Sequence, residues 1–302
     1  KLMKFNTSLF VKGMLMGIAE IIPGVSGGTL AFITGIYTEL VDSIKSVNLG
    51  SLKLLFKFQF KNFWKQINGN FLFTLFIGMI SSILILSRFI IFLLDNHHFK
   101  IWGFFFGLIL SSAFIIFKSI SKLNTKSYVF LSLGFVVSGY ISLVAPSSTP
   151  NTYFFIFISG AIAISAMILP GISGSFILVF LSKYEFILSS LNSLEINVLT
   201  VFLAGCVTGL VTFSRLLSYL FKNYYDSVVS ILVGFLMGSL IKIWPFYQII
   251  EFNQNNEPLY TNPVLPNSNQ TLESIYFLIF LVVGILSIWF IEKKFIGIGK
   301  EN

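Results

Sequence analysis

The chain is poor in charge: Asp, Glu, Lys and Arg make up only 11% of its 302 residues, against a hydrophobic share of 55%. Soluble domains carry about 25% charged residues, so a water-soluble globule is excluded and a polytopic membrane protein is indicated. Histidine is nearly missing as well. The two present, His97 and His98, are adjacent and read as a solvated turn rather than as metal ligands or a catalytic base. Acid-type lipid phosphatase chemistry needs histidines inside the membrane, and none occurs there. There is no GxSxG elbow, and no glycine-rich stretch ends in GK[ST] as a P-loop would. The single cysteine, Cys206, cannot form an intrachain disulfide and reads as packing. No enzyme, metal or cofactor is expected. The net charge of +8 is too diffuse for a nucleic-acid partner; it reads as a topology signal and an attraction to anionic lipid. Lys1 to Lys12 is short and basic with no small-residue cleavage site behind it, so no cleavable signal is expected.

What the chain does have is one unusual stretch, used twice. Lys12 to Leu40 contains Pro23-Gly24-Val25-Ser26-Gly27-Gly28-Thr29 within apolar sequence, and Pro170-Gly171-Ile172-Ser173-Gly174-Ser175 repeats the device. Pro23, Gly24, Pro170 and Gly171 should stop a helix, because proline lacks a donor and glycine tolerates any φ. The match extends outward at a constant offset: Gly13 with Gly160, Ala19 with Ala166, Tyr37 with Tyr184. Farther on, Gly78 and Arg88 answer Gly205 and Arg215, and Gly103 and Gly107 answer Gly234 and Gly238. Broken helices at corresponding places of two halves are the sequence mark of a repeat-built transporter.

Spans of about 20 apolar residues cross a bilayer. Six are read at 71–94, 100–118, 128–146, 198–221, 227–249 and 273–291. The stretches 10–45 and 153–190 read as broken re-entrant hairpins. Basic loops (Lys53 to Lys65, Lys118 to Lys126, Lys222, Lys293 and Lys294) alternate with neutral or acidic ones, which places both termini in the cytoplasm. The expected fold is all-α, with two inverted repeats, 1–146 and 147–302, each a hairpin plus three transmembrane helices. The first hairpin then opens to the cytoplasm and the second to the outside. In the extra segment 50–67, Lys53, Lys57, Lys61 and Lys65 fall on one helical arc and apolar residues on the other. That segment reads as one interfacial helix.

Ser26, Gly27, Gly28 and Thr29, with Ser173, Gly174 and Ser175, would offer backbone N–H groups and hydroxyls to an anion. The alternative is that small residues merely let two hairpin tips pack together. Charges inside the membrane are costly and mark function. Arg88 and Arg215 lie within spans, and arginine suits bidentate phosphate contacts. Glu20 reads as a coupling group or a charge partner, as does Glu39. Lys183, Glu185 and Lys242 read as interface residues outside any site.

The segments GMLMGIAEIIPGVSGGTLAFITGIY and SGAIAISAMILPGISGSFILVFLSKYEFI resemble the two signature stretches of the bacterial polyprenyl-phosphate transporter family, and the similarity runs from Lys12 to about Phe290. The resemblance implies return of undecaprenyl phosphate to the inner leaflet of the cytoplasmic membrane for reuse in cell-wall assembly. It also implies that the tip residues, with Arg88 and Arg215, form the phosphate site. Whether a proton or sodium ion is coupled, and whether the chain forms a homodimer, the resemblance leaves open. A transporter of a soluble anion and a non-transporting membrane assembly factor are the other readings.

Overall fold

The computed structural model describes residues 6–21, 26–143, 149–252 and 258–295. The chain starts with three helices, α1 (Thr7–Ile21), α2 (Gly27–Ile33) and α3 (Tyr37–Lys45). Next come α4 (Leu49–Phe56) and α5 (Phe60–Gln66), then three long helices, α6 (Gly69–Asn96), α7 (His98–Phe117) and α8 (Thr125–Leu143). The second half repeats the order with α9 (Tyr153–Ile168), α10 (Gly174–Phe180), α11 (Tyr184–Asn192), α12 (Ile196–Ser239) and α13 (Thr271–Phe295). Among the described residues, five helices are long and apolar enough to cross a membrane, or six if the bent pair α10–α11 counts as one span. The protein is a mostly helical, multi-pass membrane protein.

The break between α9 and α10 is set locally. Leu169 is extended (ψ 131°) ahead of Pro170, as the residue before a proline prefers. Gly171 then takes φ +84°, and a Cβ there would lie 2.9 Å from the amide nitrogen of Leu236. Only glycine meets both demands, a left-handed backbone and close approach to α12. Ser173 restarts the chain as α10. The return arms are short: seven residues each in α2 and α10, about 10 Å at 1.5 Å per residue, far below the ~30 Å of a hydrocarbon core. After α10 the chain turns by 103° into α11. Pro23 and Gly24, read as the first break, lie outside the described residues.

Helices inside a membrane gain little from apolarity alone and associate through close packing at small residues. The paired glycines supply it. Gly13 of α1 and Gly78 of α6 approach each other's backbone, and Gly160 of α9 meets α12 at Phe202 and Cys206, as Gly205 meets Phe157. The other set crosses between halves. Gly103 and Gly107 of α7 pack on Phe277 and Leu281 of α13, while Gly234 and Gly238 of α12 pack on Leu131 and Phe135 of α8. Each half therefore lends its last helix to the other.

Three expectations are corrected. The segment 50–67 is not one helix: the chain reverses at Phe58, which has φ +54°, so α4 and α5 are separate and Phe56, Phe58 and Phe60 all stay exposed. The spans read at 198–221 and 227–249 are the two parts of α12, divided by non-helical dihedrals at Tyr224 (φ −139°, ψ 42°), but the second part ends at Ser239, short of 249. Beyond it, β1 (Tyr247–Phe252) and β2 (Pro258–Pro263) pair antiparallel, so the fold is not purely helical. A hydropathy reading joins apolar Ile249 and Ile250 to the helix, although the prolines at 245 and 258 and the polar run between them suit a hairpin.

Candidate functional site

The two breaks meet. Ser26 Oγ donates to Leu169 O at 3.1 Å, and Tyr37 Oη donates to Ile168 O at 3.0 Å. These carbonyls end α9, where the extended Leu169 and Pro170 leave them without a helical amide, and two hydroxyls from the first half serve them instead. Gly28 is small because Ile168 O comes within 2.6 Å of where its Cβ would be. Tyr37 also packs edge-on to Phe221 of α12, ring centroids 5.5 Å apart.

The first tip is occupied by the protein's own acceptors. Ser26 Oγ accepts from Gly28 N at 3.1 Å, a side-chain N-cap. Glu20 Oε1 accepts from Gly27 N at 2.9 Å. Thr29 is fully buried, and its hydroxyl has no hydrogen-bond partner among the described residues. A buried hydroxyl without a partner costs about 1–3 kcal/mol.

The second tip is built from equivalent positions with different chemistry. Met167 stands where Glu20 stands, its Cβ 3.2 Å from a Cβ placed on Gly174. No carboxylate reaches Gly174 N among the described residues, and Ser173 makes no side-chain cap. Its hydroxyl pairs with that of Ser175 at 2.8 Å. Beside it lies a cavity of about 20 Å³ lined by Ser138, Ser142, Gly171, Ser173, Ser239 and Lys242.

The far ends of the return arms are also served differently. Lys12 Nζ donates to Thr34 O at 2.7 Å, at the C-cap of α2. In the second half Thr149 Oγ1 donates to Leu181 O at 2.8 Å, and Lys183 Nζ holds that strap through Thr149 O (2.5 Å) and Asn151 Oδ1 (2.7 Å). Lys183 is completely buried within the protein. Carbonyl-type oxygens replace the water around its ammonium.

Arg88 and Arg215 occupy matching places on α6 and α12, eight residues before Asn96 and before Asn223 respectively. Both are exposed, and no hydrogen bond or ion pair holds either guanidinium among the described residues. Glu39 is exposed as well and accepts from Asn68 Nδ2 at 2.9 Å. With Lys12, Asn6, Asn70 and Thr74 it lines a cavity of about 330 Å³ at the open end of the first hairpin.

Sequence reasoning therefore found the tips but missed Tyr37 as a clamp, Lys12 and Lys183 as struts and Lys242 as a cavity residue. A lysine facing small residues three helices away leaves no mark in local spacing.

Residues 16–260 match a family model described as undecaprenyl phosphate translocase-like. The chain is 41% identical over 271 residues to a polyprenyl-phosphate transporter of Vibrio cholerae serotype O1, covering 88% of each chain. It is 30% identical over 260 residues to a polyprenyl-phosphate transporter of Staphylococcus aureus, covering 80% of this chain and 87% of the other. No solved structure matches.

Proposed function

This chain belongs to the undecaprenyl phosphate translocase-like family, and on that premise we propose that it moves undecaprenyl phosphate across the bacterial cytoplasmic membrane, returning the carrier to the inner leaflet for reuse. It acts as a transporter and not as an enzyme. The observation that carries this reading is the meeting of two helix breaks inside an apolar bundle, with Ser26 Oγ on Leu169 O and Thr29 Oγ1 without a partner among the described residues. A phosphate monoester carries about −1.5 to −2 charges and cannot enter hydrocarbon, whereas its prenyl tail can remain there. Such a substrate needs a narrow polar passage, open sideways to lipid. The walls of that passage are Ser26, Gly27, Gly28 and Thr29 on one side and Ser173, Gly174 and Ser175 on the other.

The halves are inverted repeats with both termini cytoplasmic, so the hairpin α1–α3 re-enters from the cytoplasm and α9–α11 from outside. On this orientation Arg88 lies toward the outer leaflet and Arg215 toward the inner one. Their exposed guanidiniums draw the head group to the passage and receive it on release, instead of clamping it between the tips. Because α8 and α13 are exchanged between halves, the moving pieces are not the sequence halves 1–146 and 147–302. Each is a hairpin with its following long helix, sliding against the frame of α7, α8 and α13, and the break at Tyr224 is the hinge within α12. Glu20, or Glu39 at the open end of the first hairpin, binds a coupling proton or sodium ion.

The test uses proteoliposomes with polyprenyl phosphate in the outer leaflet and a phosphatase that cannot cross. Time-dependent protection of the phosphate, absent with Arg88→Ala or Arg215→Ala protein inserted at the same level, is the expected result. Full transport by both variants would remove the arginines from the mechanism. Uptake of free phosphate without any prenyl tail would favour the soluble-anion reading.

A further inference from the structure

The two breaks occupy corresponding places in the sequence but carry different side chains. At the first, a carboxylate of the protein itself already accepts from the opening amide of the return arm, Gly27 N to Glu20 Oε1 at 2.9 Å. At the second, the equivalent side chain is Met167, in the same place against Gly174. The cavity beside the second break contains a cation instead. Lys242 lines it, with its Nζ 4.6 Å from the centroid of the Phe176 ring and no carboxylate within ion-pair reach among the described residues. Ser138 lines the same cavity, is only 4% exposed, and its hydroxyl makes no hydrogen bond among the described residues. Ser173, 9% exposed, completes the wall. A hydroxyl that makes no hydrogen bond and a lysine without a counter-ion among the described residues, both lining one space, are the donors an anion would need there. The cavity of about 20 Å³ admits a single water or one phosphate oxygen.

We propose that the phosphate head group is held at one break only, the second, by Lys242 with Ser138 and Ser173, while Glu20 stands in for a phosphate at the first break and keeps anions out of it. This rests on the reading of the chain as a carrier of polyprenyl phosphate. The two-fold backbone thus carries a one-sided site. Glu20 Oε1 already takes the amide of Gly27, so that donor is closed to a phosphate oxygen, whereas no side chain among the described residues takes Gly174 N. Lys242 follows α12 just before the β-hairpin, which has no counterpart among the described residues of the first half.

The test is thermal stabilisation of the full chain in detergent, titrated with polyprenyl monophosphate, the corresponding polyprenol and inorganic phosphate. Binding raises the midpoint by mass action. Wild-type protein should respond to the monophosphate and not to the alcohol. Lys242→Gln should weaken that response tenfold or more, and Lys242→Arg should restore most of it. Met167→Glu, which places the first tip's carboxylate at the second, should weaken it similarly. Glu20→Gln should leave a response that still depends on Lys242. Each variant's ligand-free midpoint reports its folding, and Lys242 is exposed enough for its variants to fold. A response to inorganic phosphate that is lost in Lys242→Gln supports the site and counts against the lipid reading. Equal response of wild type and Lys242→Gln to the monophosphate overturns the site and leaves the transport reading standing. No response of wild type to the monophosphate overturns both.

Discussion

Replacing Ser26 by Ala should separate the two breaks without touching the apolar bundle. The hydroxyl does two jobs, accepting from Gly28 N and donating to Leu169 O. Loss of a serine N-cap costs about 1 kcal/mol, with a range of about 0.5–2. Leu169 O keeps a long bond from Ile172 N at 3.4 Å, so its loss is that of an ordinary hydrogen bond, about 0.5–1.5 kcal/mol. Together these give about 1–3.5 kcal/mol, and at roughly 2–4 °C per kcal/mol the midpoint in detergent should fall by about 2–14 °C. Ser26→Gly divides the two contributions, because glycine at an N-cap costs only a few tenths of a kcal/mol; what remains is the bond across the tips. Transport measured by phosphate protection in proteoliposomes should fall in both variants. A midpoint within about 1 °C of wild type for Ser26→Ala, with unchanged transport, would refute the claim that this hydroxyl ties the breaks.

Thr29→Val removes a hydroxyl that has no partner among the described residues, so the midpoint should hold or rise while transport falls; a lower midpoint would mean that the hydroxyl is satisfied in the resting protein. Gly171→Ala combines a left-handed residue, at about 1–2 kcal/mol, with a methyl forced against Leu236 N, and should cost roughly 2–4 kcal/mol. Gly35→Ala has a similar φ of +73° but open space around it, so it should cost no more than about 1–2 kcal/mol; equal losses in the two would show that packing against α12 does not matter. Arg88→Ala and Arg215→Ala should leave the midpoint unchanged, because both side chains are exposed and unbound, and should reduce flux. Lys183→Met strips the ammonium from Thr149 O and Asn151 Oδ1 and leaves buried acceptors unpaired, at about 1–3 kcal/mol, read as a lower midpoint.

Much of the architecture was legible because it depends on local rules. Low charge and long apolar runs indicate spans, and Pro170 with Gly171 breaks a helix wherever the chain places them. The paired glycines Gly13 with Gly160, Gly78 with Gly205, and Gly103 and Gly107 with Gly234 and Gly238 indicated equivalent elements, and equivalent glycines do make equivalent close contacts. Misreadings arose where local rules were weak. Lysines at i, i+4 are compatible with one helix but cannot reveal the reversal at Phe58, and apolar residues beyond Ser239 fit a span or a strand equally.

What the sequence determined by itself was the class, the two breaks and the duplication, since each follows from hydropathy, proline chemistry and spacing along the chain. Only the tertiary structure decided which helices pair, which way Arg88 and Arg215 face, and that Glu20 caps Gly27 while Lys242 faces the second break. The reason is physical. In lipid the outer faces of helices are as apolar as the inner ones, so hydropathy cannot say which face is inside. A carboxylate or an ammonium likewise takes its meaning from the groups that surround it in space.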